Sequence, residues 1–305
     1  MARITVIGSY VTDLTGRTEK LPRPGETVIG RSFTMGPGGK GGNQAVAAAR
    51  LGSDVTMVTK IGKDVFGEEA VRNFQAEKIR SEYVAVTPDA ATGAAIIAVD
   101  DQGENMIVVT LGACGTLSAD EVQQADAAIA SSDYVLVQLE TSIEAVEEAV
   151  RLAGEHRKPV ILNPAPYHPV PEAVWQKVAY ATPNETEAEG MTGVTVTDKE
   201  TADHAARRIQ QMGVENVIIT LGKKGCYLLE QGQEGRLIPG IEVDAVDTTG
   251  AGDAFNGALA HYLGTEPSVE EACYKANVAA ALSVTRAGTA PSMARAEEVA
   301  SWSNK

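Results

Sequence analysis

The segment with the clearest capacity for chemistry runs from Asp247 to Asp253 and reads Asp-Thr-Thr-Gly-Ala-Gly-Asp. It leads into an Ala-rich stretch, so we expect a glycine-rich turn that opens a helix. N–H groups at such a turn have no partner within the helix and can bind developing negative charge at the positive end of its dipole. Asp253 is either a base that accepts the proton of an attacking hydroxyl or only a charge partner for its helix. The first interpretation predicts phosphoryl transfer to an alcohol.

A second glycine-rich segment, Gly36-Pro-Gly-Gly-Lys-Gly-Gly42, comes directly before a helical pattern that starts at Asn43. Bare backbone allows a ligand to approach closely, and Lys40 and Asn43 are available to hydrogen-bond it. The glycines also satisfy the GxGxxG pattern of dinucleotide-binding proteins, but that pattern belongs directly after the first strand of a chain. The alternative interpretation is a flexible hinge between a flap and a helix.

The elements that must position these segments alternate along the chain. Short apolar runs typical of buried strands cover residues 4–7, 55–58, 134–137, 160–162 and 217–221. Longer segments with helical spacing cover residues 43–51, 65–76, 143–156 and 199–212. This alternation predicts an α/β fold, with a doubly wound, mainly parallel sheet and helices on both of its faces.

Two stretches interrupt the alternation. Residues 27–35 and 92–111 have extended patterns, and short loops cannot easily join them to a parallel sheet. We therefore expect one domain over residues 1–305, with a small β-sheet flap, or lid, formed by inserted segments of about 11–37 and 91–112. A hairpin of residues 225–229 and 236–238 is expected to extend one edge of the main sheet in antiparallel fashion.

Composition and charge argue against several classes of function. The chain has 305 residues, 44% of them hydrophobic and 22% charged, as in ordinary soluble globular proteins. Its formal net charge of −15 would repel phosphate backbones and anionic lipid headgroups, so neither nucleic acid nor a membrane is an expected partner. Three widely spaced cysteines fit a reducing compartment and argue against a disulfide framework or a zinc site, and four unclustered histidines argue against a His-based metal centre. Because the first residues read as a strand rather than a signal sequence, we expect a cytoplasmic protein.

Both glycine-rich segments resemble the signatures of the phosphofructokinase-B-type, or ribokinase-like, family of carbohydrate kinases. The early signature is Gly38-Gly-Lys-Gly-Gly-Asn43, and the late one is the segment from Asp247 to Asp253. The resemblance continues in the same order at Pro24-Gly-Glu-Thr27, Gln138-Leu-Glu140, Asn163-Pro-Ala-Pro166, Thr182-Pro-Asn-Glu-Thr-Glu187, Thr220-Leu-Gly222 and Val284-Thr-Arg-Ala-Gly288. It implies a single kinase domain that phosphorylates a sugar with ATP and lacks a Walker A loop.

The resemblance also implies roles for individual residues. The catalytic base is Asp253, and the anion hole is formed by Gly250, Ala251 and Gly252. The sugar pocket contains Asp13 at the end of the first strand, together with Val11, Gly39, Lys40, Asn43, Glu140 and Asp253. The ATP site contains Asn184, Glu187, Thr220, Gly222, Gly225, Gly252 and Asn277, and Mg²⁺ arrives with ATP. A K⁺ site contains Asp247, Thr249, Ser283, Arg286, Gly288 and Ser292, several of them through backbone carbonyls. The family further implies a homodimer joined through the lids.

Two departures from the family pattern leave the sugar open. Members that act on ribose usually carry Asn two residues before the sugar-binding Asp, whereas this chain has Val11. A sugar hydroxyl left unpaired there would cost about 1–3 kcal/mol, and the family's deoxyribose kinases have an apolar residue at this point. The implied reaction is phosphorylation of a pentose at its primary hydroxyl, D-ribose to D-ribose 5-phosphate, with 2-deoxyribose or another sugar as the alternative. The second departure is Cys114, where Asn is frequent.

Two hypotheses from other classes can be distinguished from this one. A nicotinamide-dependent oxidoreductase needs a glycine-rich turn directly after residues 4–7, but the sequence there reads Gly8-Ser-Tyr-Val-Thr-Asp13. A non-catalytic sugar sensor on the same fold would keep Asp13 and lose the base or the anion hole. Both of those features are present in this chain.

Overall fold

A computed structural model describes residues 1–302, which form two β-sheets with flanking helices. The strands are β1 (Arg3–Ile7), β2 (Val11–Thr18), β3 (Gly30–Gly38), β4 (Asp54–Gly62), β5 (Arg80–Thr87), β6 (Thr92–Val99), β7 (Asn105–Gly112), β8 (Tyr134–Gln138), β9 (Val160–Asn163), β10 (Tyr180–Ala181), β11 (Asn216–Thr220), β12 (Gly225–Leu229) and β13 (Arg236–Pro239). The helices are α1 (Lys40–Arg50), α2 (Val65–Ala76), α3 (Ala119–Gln123), α4 (Asp126–Ser131), α5 (Ile143–Glu155), α6 (Glu172–Trp175), α7 (Glu185–Thr192), α8 (Lys199–Gln211), α9 (Ala251–Leu263), α10 (Val269–Ser283) and α11 (Ala296–Trp302).

Nine strands form the large sheet, in the order β13-β12-β11-β10-β9-β8-β1-β4-β5. All pairs from β11 to β5 are parallel, and the β12–β13 hairpin adds two antiparallel strands at one edge. Helices cover both faces of this sheet, and its central strands are accordingly apolar on both faces. Val6 and Leu136 pack into the hydrophobic core on one face, and Ile7 and Val137 pack into the core on the other. The doubly wound, mainly parallel sheet expected from the sequence is thus confirmed.

The parallel strands end at the same edge of the sheet, which is where α/β proteins bind their ligands. Helices α1 and α9 cross in close contact beside this edge. A Cβ built on Gly257 of α9 would lie only 2.4 Å from the backbone oxygen of Gln44 in α1, so no larger residue fits at that crossing. This packing brings the start of each helix, where the two glycine-rich segments end, to one place.

The second sheet has four strands, in the order β3-β2-β6-β7. Its strand β2 was not predicted, because Val-Thr-Asp-Leu-Thr-Gly-Arg-Thr carries too few apolar residues to be recognised as a strand. Asp13 lies on β2, and not at the end of the first strand as the sequence analysis expected. The first strand already ends at Ile7, and residues 8–10 carry the chain across to the second sheet.

Candidate active site

Helix α9 begins with a turn that presents bare backbone. Gly250 occupies the N-cap position with a φ of 79°, in the left-handed region that favours glycine. Ala251 and Gly252 are the first helical residues, and within residues 1–302 no side chain caps this helix start. The N–H groups of the turn, at the positive end of the helix dipole, are therefore suited to binding an anion.

Asp253 is the third residue of α9 and is 6% exposed. Its Oδ2 accepts a hydrogen bond of 2.9 Å from Asn43 Nδ2, and its Oδ1 accepts one of 3.0 Å from Gln44 Nε2. The two donors are consecutive residues of α1, so the contact between α1 and α9 fixes the carboxylate at both oxygens. Because each carboxylate oxygen can accept a second hydrogen bond, Asp253 keeps the capacity to receive a substrate hydroxyl.

Gln44 is a site residue that the sequence analysis missed. Its side chain is fully buried, and Nε2 also donates to Asn163 Oδ1 at 3.1 Å while Oε1 accepts from Gln138 Nε2 at 2.8 Å. Asn163 in turn donates to the backbone oxygen of Thr182 at 3.0 Å. These amides connect Asp253 to the carboxyl ends of β8 and β9, and the motifs Gln138-Leu-Glu140 and Asn163-Pro-Ala-Pro166 were the sequence signals for this connection.

Asn43 and Lys40 line the region between the two helix starts. Asn43 Oδ1 is buried and has no hydrogen-bond partner within residues 1–302, so it is an acceptor that a sugar hydroxyl could satisfy. Burial opposes the charge on the Lys40 ammonium, but the carboxylates of Asp253, Glu140 and Glu187 outweigh that effect and raise its pKa. Lys40 therefore stays protonated as the cation of this acidic site.

Glu140 follows β8 and contacts the glycine-rich segment at the start of α1. Its Oε2 accepts hydrogen bonds from Ser9 Oγ at 2.5 Å and from the backbone N–H of Lys40 at 2.8 Å. Gly39, the N-cap of α1, precedes Lys40. The structure thus brings together Gly39, Lys40, Asn43, Glu140 and Asp253, which the sequence analysis assigned to one pocket.

Asp13 reaches this region from the second sheet. Burial raises its pKa, the hydrogen bond of 2.8 Å from Thr289 Oγ1 lowers it, and the charges of Glu140 and Asp253 raise it again, to about 6. Asp13 also lines a cleft of about 460 Å³ between β2, β3 and the loops at 245–249 and 287–291. Three carboxylates, those of Asp13, Glu140 and Asp253, therefore share one site.

The two departures from the family pattern lie together. Val11 and Cys114 are both buried, and with Ala95 they form a small apolar cluster at the base of the second sheet. Burial is the main cause that raises the pKa of the Cys114 thiol, with a further contribution from the charge of Glu140, so the thiol is neutral. An apolar wall thus stands beside Glu140 and two residues from Asp13.

Five of the seven predicted ATP residues lie at the start of α7 and around the turn from β11 to β12: Asn184, Glu187, Thr220, Gly222 and Gly225. Asn184 and Glu187 form a capping box, in which Asn184 Oδ1 accepts from the N–H of Glu187 at 2.8 Å and Glu187 Oε2 accepts from the N–H of Asn184 at 2.9 Å. Burial raises the pKa of Glu187. Asn184 is bridged to Thr220, and the turn beyond it contains Gly222 and Gly225.

Asn277, the predicted residue beside adenine, is buried, and its side-chain amide is hydrogen-bonded to the backbone of β13. Its Nδ2 donates to the backbone oxygens of Pro239 at 3.0 Å and Ile238 at 3.3 Å. The amide therefore fastens β13 to α10 and supports the wall behind Gly225.

The predicted K⁺ residues come from two loops that contact each other. Asp247 Oδ1 accepts from the N–H of Thr249 and Oδ2 from the N–H of Gly288, both at 3.0 Å. The hydroxyls of Ser283 and Ser292 donate to nearby backbone oxygens, and the Arg286 guanidinium pairs with Glu298. The guanidinium has no acceptor atom, so Arg286 could ligate a cation only through its backbone carbonyl oxygen, whereas the two serine hydroxyls keep lone pairs while they donate. A set of carbonyl oxygens with one carboxylate fits a weakly hydrated monovalent cation such as K⁺.

Two kinds of feature are absent from the described part of the chain. No group of three or more His, Cys, Asp and Glu side chains within residues 1–302 is arranged to hold a metal ion. None of the helices in that range is long and apolar enough to cross a membrane.

Comparisons with known proteins agree with this geometry. The model of the pfkB family of carbohydrate kinases matches residues 1–296. The ribokinase of Haemophilus influenzae is 41% identical over 295 residues, which cover 97% of this chain and 96% of that protein. The deoxyribokinase of Salmonella typhi is 40% identical over 299 residues, with 97% and 96% covered. The structure of Arabidopsis thaliana ribokinase complexed with ribose and ATP is similar with a TM-score of 0.89 at 29% identity, and covers 98% of both chains.

Proposed function

This chain belongs to the pfkB family and is a carbohydrate kinase, and on that premise we propose that it phosphorylates a pentose at its primary hydroxyl with ATP. D-ribose, converted to D-ribose 5-phosphate, is the first candidate. One observation carries the proposal: the buried Asp253 carboxylate lies three residues beyond Gly250, in the first turn of the helix that the bare-backbone turn opens. A base and an anion site are thereby placed at the start of one helix, and phosphoryl transfer to a hydroxyl needs both.

The residues of this chain divide the reaction between them. Asp13, Asn43 and Glu140 bind sugar hydroxyls, and Asp253 accepts the proton of the attacking hydroxyl. The N–H groups at Gly250, Ala251 and Gly252 stabilise the negative charge that develops on the transferred phosphoryl group. The positive charge of Lys40 offsets the negative charges of Asp253, Glu140 and Glu187. The second sheet, acting as a lid, excludes water from the cleft.

The ATP site that we propose lies along Asn184, Thr220, Gly222 and Gly225, with Asn277 supporting its wall. Glu187 would hold Mg²⁺ because carboxylate oxygens are the ligands this ion prefers, and each of its oxygens keeps a free lone pair beside the hydrogen bond from Asn184. Mg²⁺ bound with ATP would supply positive charge that offsets the negative charge of the phosphates. K⁺, the second proposed ion, would be held by the Asp247 loop and by backbone carbonyls of Ser283, Arg286, Gly288 and Ser292. In this scheme the cation orders the turn that leads to Gly250.

A second candidate substrate is 2-deoxy-D-ribose. The observation that favours it is the apolar cluster of Val11, Ala95 and Cys114 beside Glu140. A ribose hydroxyl against this cluster would lose a hydrogen bond, whereas a CH₂ group would not. The nearly equal identities to a ribokinase and a deoxyribokinase do not separate the two sugars.

We also propose a homodimer formed through the second sheet. Neighbouring strands place Phe33, Ile96, Met106 and Val108 on the face opposite Asp13, and each is more than half exposed. Four large apolar side chains on one sheet face are more than a monomer usually leaves in water. A second copy of this chain is the partner that we propose for this face.

The proposed compartment is the cytoplasm, because it supplies ATP and keeps thiols reduced.

The test is a coupled assay of ATP consumption over pentoses, deoxypentoses, hexoses and nucleosides, with and without K⁺. The expected result is sugar-dependent turnover with D-ribose or 2-deoxy-D-ribose, and a product phosphorylated on the primary hydroxyl. Binding of the sugar without turnover would favour the non-catalytic sensor. Preferred turnover of a nucleoside or hexose would contradict the pentose assignment.

A further inference from the structure

Thr289 contacts three parts of the site, although no motif in the sequence draws attention to it. It is 8% exposed and lies in the loop between α10 and α11. Its Oγ1 is 2.8 Å from Asp13 Oδ2 and 3.1 Å from the backbone oxygen of Pro37. Asp13 and Pro37 belong to the adjacent strands β2 and β3, so one hydroxyl contacts two strands of the second sheet.

The same residue packs against the phosphoryl-binding turn. A Cβ built on Gly250 would lie 3.4 Å from Thr289 Cα and 3.5 Å from its Cβ and Cγ2, which is ordinary van der Waals contact. Gly288, the preceding residue, donates its N–H to Asp247 Oδ2 at 3.0 Å. The backbone oxygen of Thr289 accepts from the N–H and the hydroxyl of Ser292, at 3.1 and 2.8 Å, which fixes the loop.

We propose that Thr289 is a positioning residue that sets the Asp13 carboxylate of the lid relative to the phosphoryl-binding turn at Gly250. A hydroxyl carries one proton, and the carboxylate is the stronger acceptor, so the bond to Asp13 dominates over that to Pro37. With its proton committed, the hydroxyl holds Oδ2 while Oδ1 stays available to a sugar hydroxyl. The proposal rests on the proposed function, in which Asp13 binds the sugar.

The charges around Asp13 explain why a donor is needed there. Glu140 faces it from the loop after β8, and Asp253 faces it from α9. Lys40 of α1 is the cation whose charge Asp253 and Glu140 favour. Thr289 is therefore the neutral donor that favours the ionised form of Asp13 against burial and two like charges.

The experiment compares Thr289→Val, Thr289→Ser and Thr285→Val with the unmodified protein. Thr285 is the matched control, because its hydroxyl lies in the same loop and donates only to the backbone oxygen of Leu282. Two quantities are measured: the dissociation constant of D-ribose and 2-deoxy-D-ribose by calorimetry without ATP, and the pH dependence of kcat/KM for the better sugar.

For Thr289→Val we expect sugar affinity to fall by about tenfold or more, as for other lost hydrogen bonds to a charged group. The acid-side midpoint of kcat/KM should move to higher pH, because a donor that favours ionised Asp13 is gone. Thr289→Ser should restore both quantities to within about threefold and a few tenths of a pH unit, since it keeps the hydroxyl.

The proposal is overturned if Thr289→Val has the same sugar affinity and pH midpoint as Thr285→Val. An Asp13→Ala variant separates this outcome from failure of the proposed function. If Asp13→Ala loses sugar binding while Thr289→Val does not, only the role of Thr289 is wrong. If Asp13→Ala binds sugar normally, the sugar site itself is wrongly assigned.

Discussion

Gln44 Nε2 lies 3.0 Å from Asp253 Oδ1, so the proposed base is held by a fully buried amide. Gln44 is held in turn by Gln138 and Asn163, which makes its orientation independent of the substrate. A base that is fixed before the sugar binds needs no reorganisation during the reaction. We therefore expect Gln44 to affect kcat.

The first prediction is that Gln44→Met lowers kcat by about 10- to 100-fold, with sugar KM changed less than about threefold, because misplacing a base affects the chemical step. Asp253→Asn should lower kcat by about 10²–10⁴. In the Asp253→Asn background, Gln44→Met should cost nothing further, since its effect acts through that carboxylate. Steady-state kinetics of the four proteins check this. Equal, multiplicative losses in both backgrounds would show that Gln44 acts elsewhere.

The control for this series is Gln138→Met, which removes a buried amide that does not touch Asp253. Both variants leave polar groups unpaired, at about 1–3 kcal/mol each. Denaturant unfolding of each variant therefore establishes that the protein is folded under the assay conditions. At similar stabilities, Gln44→Met should show the larger loss of kcat.

The second prediction concerns pH. Because the pKa of Asp13 is raised to about 6, this carboxyl is ionised at pH 8 and protonated at pH 5. A protonated carboxyl is a poorer acceptor for two sugar hydroxyls, so kcat/KM for the sugar should fall as the pH decreases through about 6. Initial rates at low sugar concentration over pH 5–8.5 measure the profile.

Asp13→Asn is the comparison for the pH profile. It keeps the shape of the side chain and cannot titrate, so activity should be low and the step near pH 6 should be absent. A step that persists unchanged in Asp13→Asn would assign the titration to another group.

The sequence predicted the large sheet well because its strands are buried on both faces. Residues 4–7 and 134–137 are apolar without interruption, and that pattern has few other interpretations. Strand β5 was missed because Arg-Ser-Glu-Tyr-Val-Ala-Val-Thr lies at the sheet edge and carries polar residues. Strand β2, which carries Asp13, was missed for a similar reason: its polar residues Asp13, Thr15 and Arg17 line the cleft.

Motif spacing predicted which residues approach the cleft, but not how they are held. Gln44 directly follows the predicted Asn43, yet its partners lie 94, 119 and 209 residues away in sequence. Thr289 lies 276 residues from Asp13. Contacts of this kind depend on how α1, α9 and the strand ends pack, and no local pattern encodes them.

The third prediction tests the cation loop. Asp247 Oδ1 and Oδ2 each accept a backbone N–H from one of the two loops, so its charge both ties the loops together and favours a cation. Asp247→Asn should raise the K⁺ concentration needed for half-maximal activity several-fold, and replacing K⁺ by choline should lower the rate of the unmodified protein. Asp244→Asn, which removes the same charge at an exposed position three residues earlier, is the control. Identical rates in K⁺ and choline would contradict the site.

The fourth prediction tests the dimer. Ile96 and Val108 are cross-strand neighbours on the exposed face of the second sheet, and are 61% and 62% exposed. Ile96→Glu would bury a charge against the second copy. Because an unpaired charge at an interface costs about 3–5 kcal/mol, this variant should be a monomer. Light scattering at micromolar concentration measures the mass. Val86→Glu, a similarly exposed apolar position on the large sheet, should leave the mass unchanged. A monomer in the unmodified protein would remove the proposal.

The fifth prediction concerns the choice of sugar. Val11 packs with Ala95 and Cys114 and stands two residues before Asp13 on β2. Val11→Asn introduces an amide that can bond a hydroxyl, so kcat/KM for D-ribose should rise relative to 2-deoxy-D-ribose by about 5- to 100-fold, the equivalent of one hydrogen bond. The two sugars are compared in competition, with product ratios read by mass spectrometry. Cys114→Ser, which adds a hydroxyl to the same cluster away from β2, is the matched variant and should change the ratio less. If Val11→Asn leaves the ratio unchanged or shifts it toward the deoxy sugar, the sugar is discriminated elsewhere in the pocket.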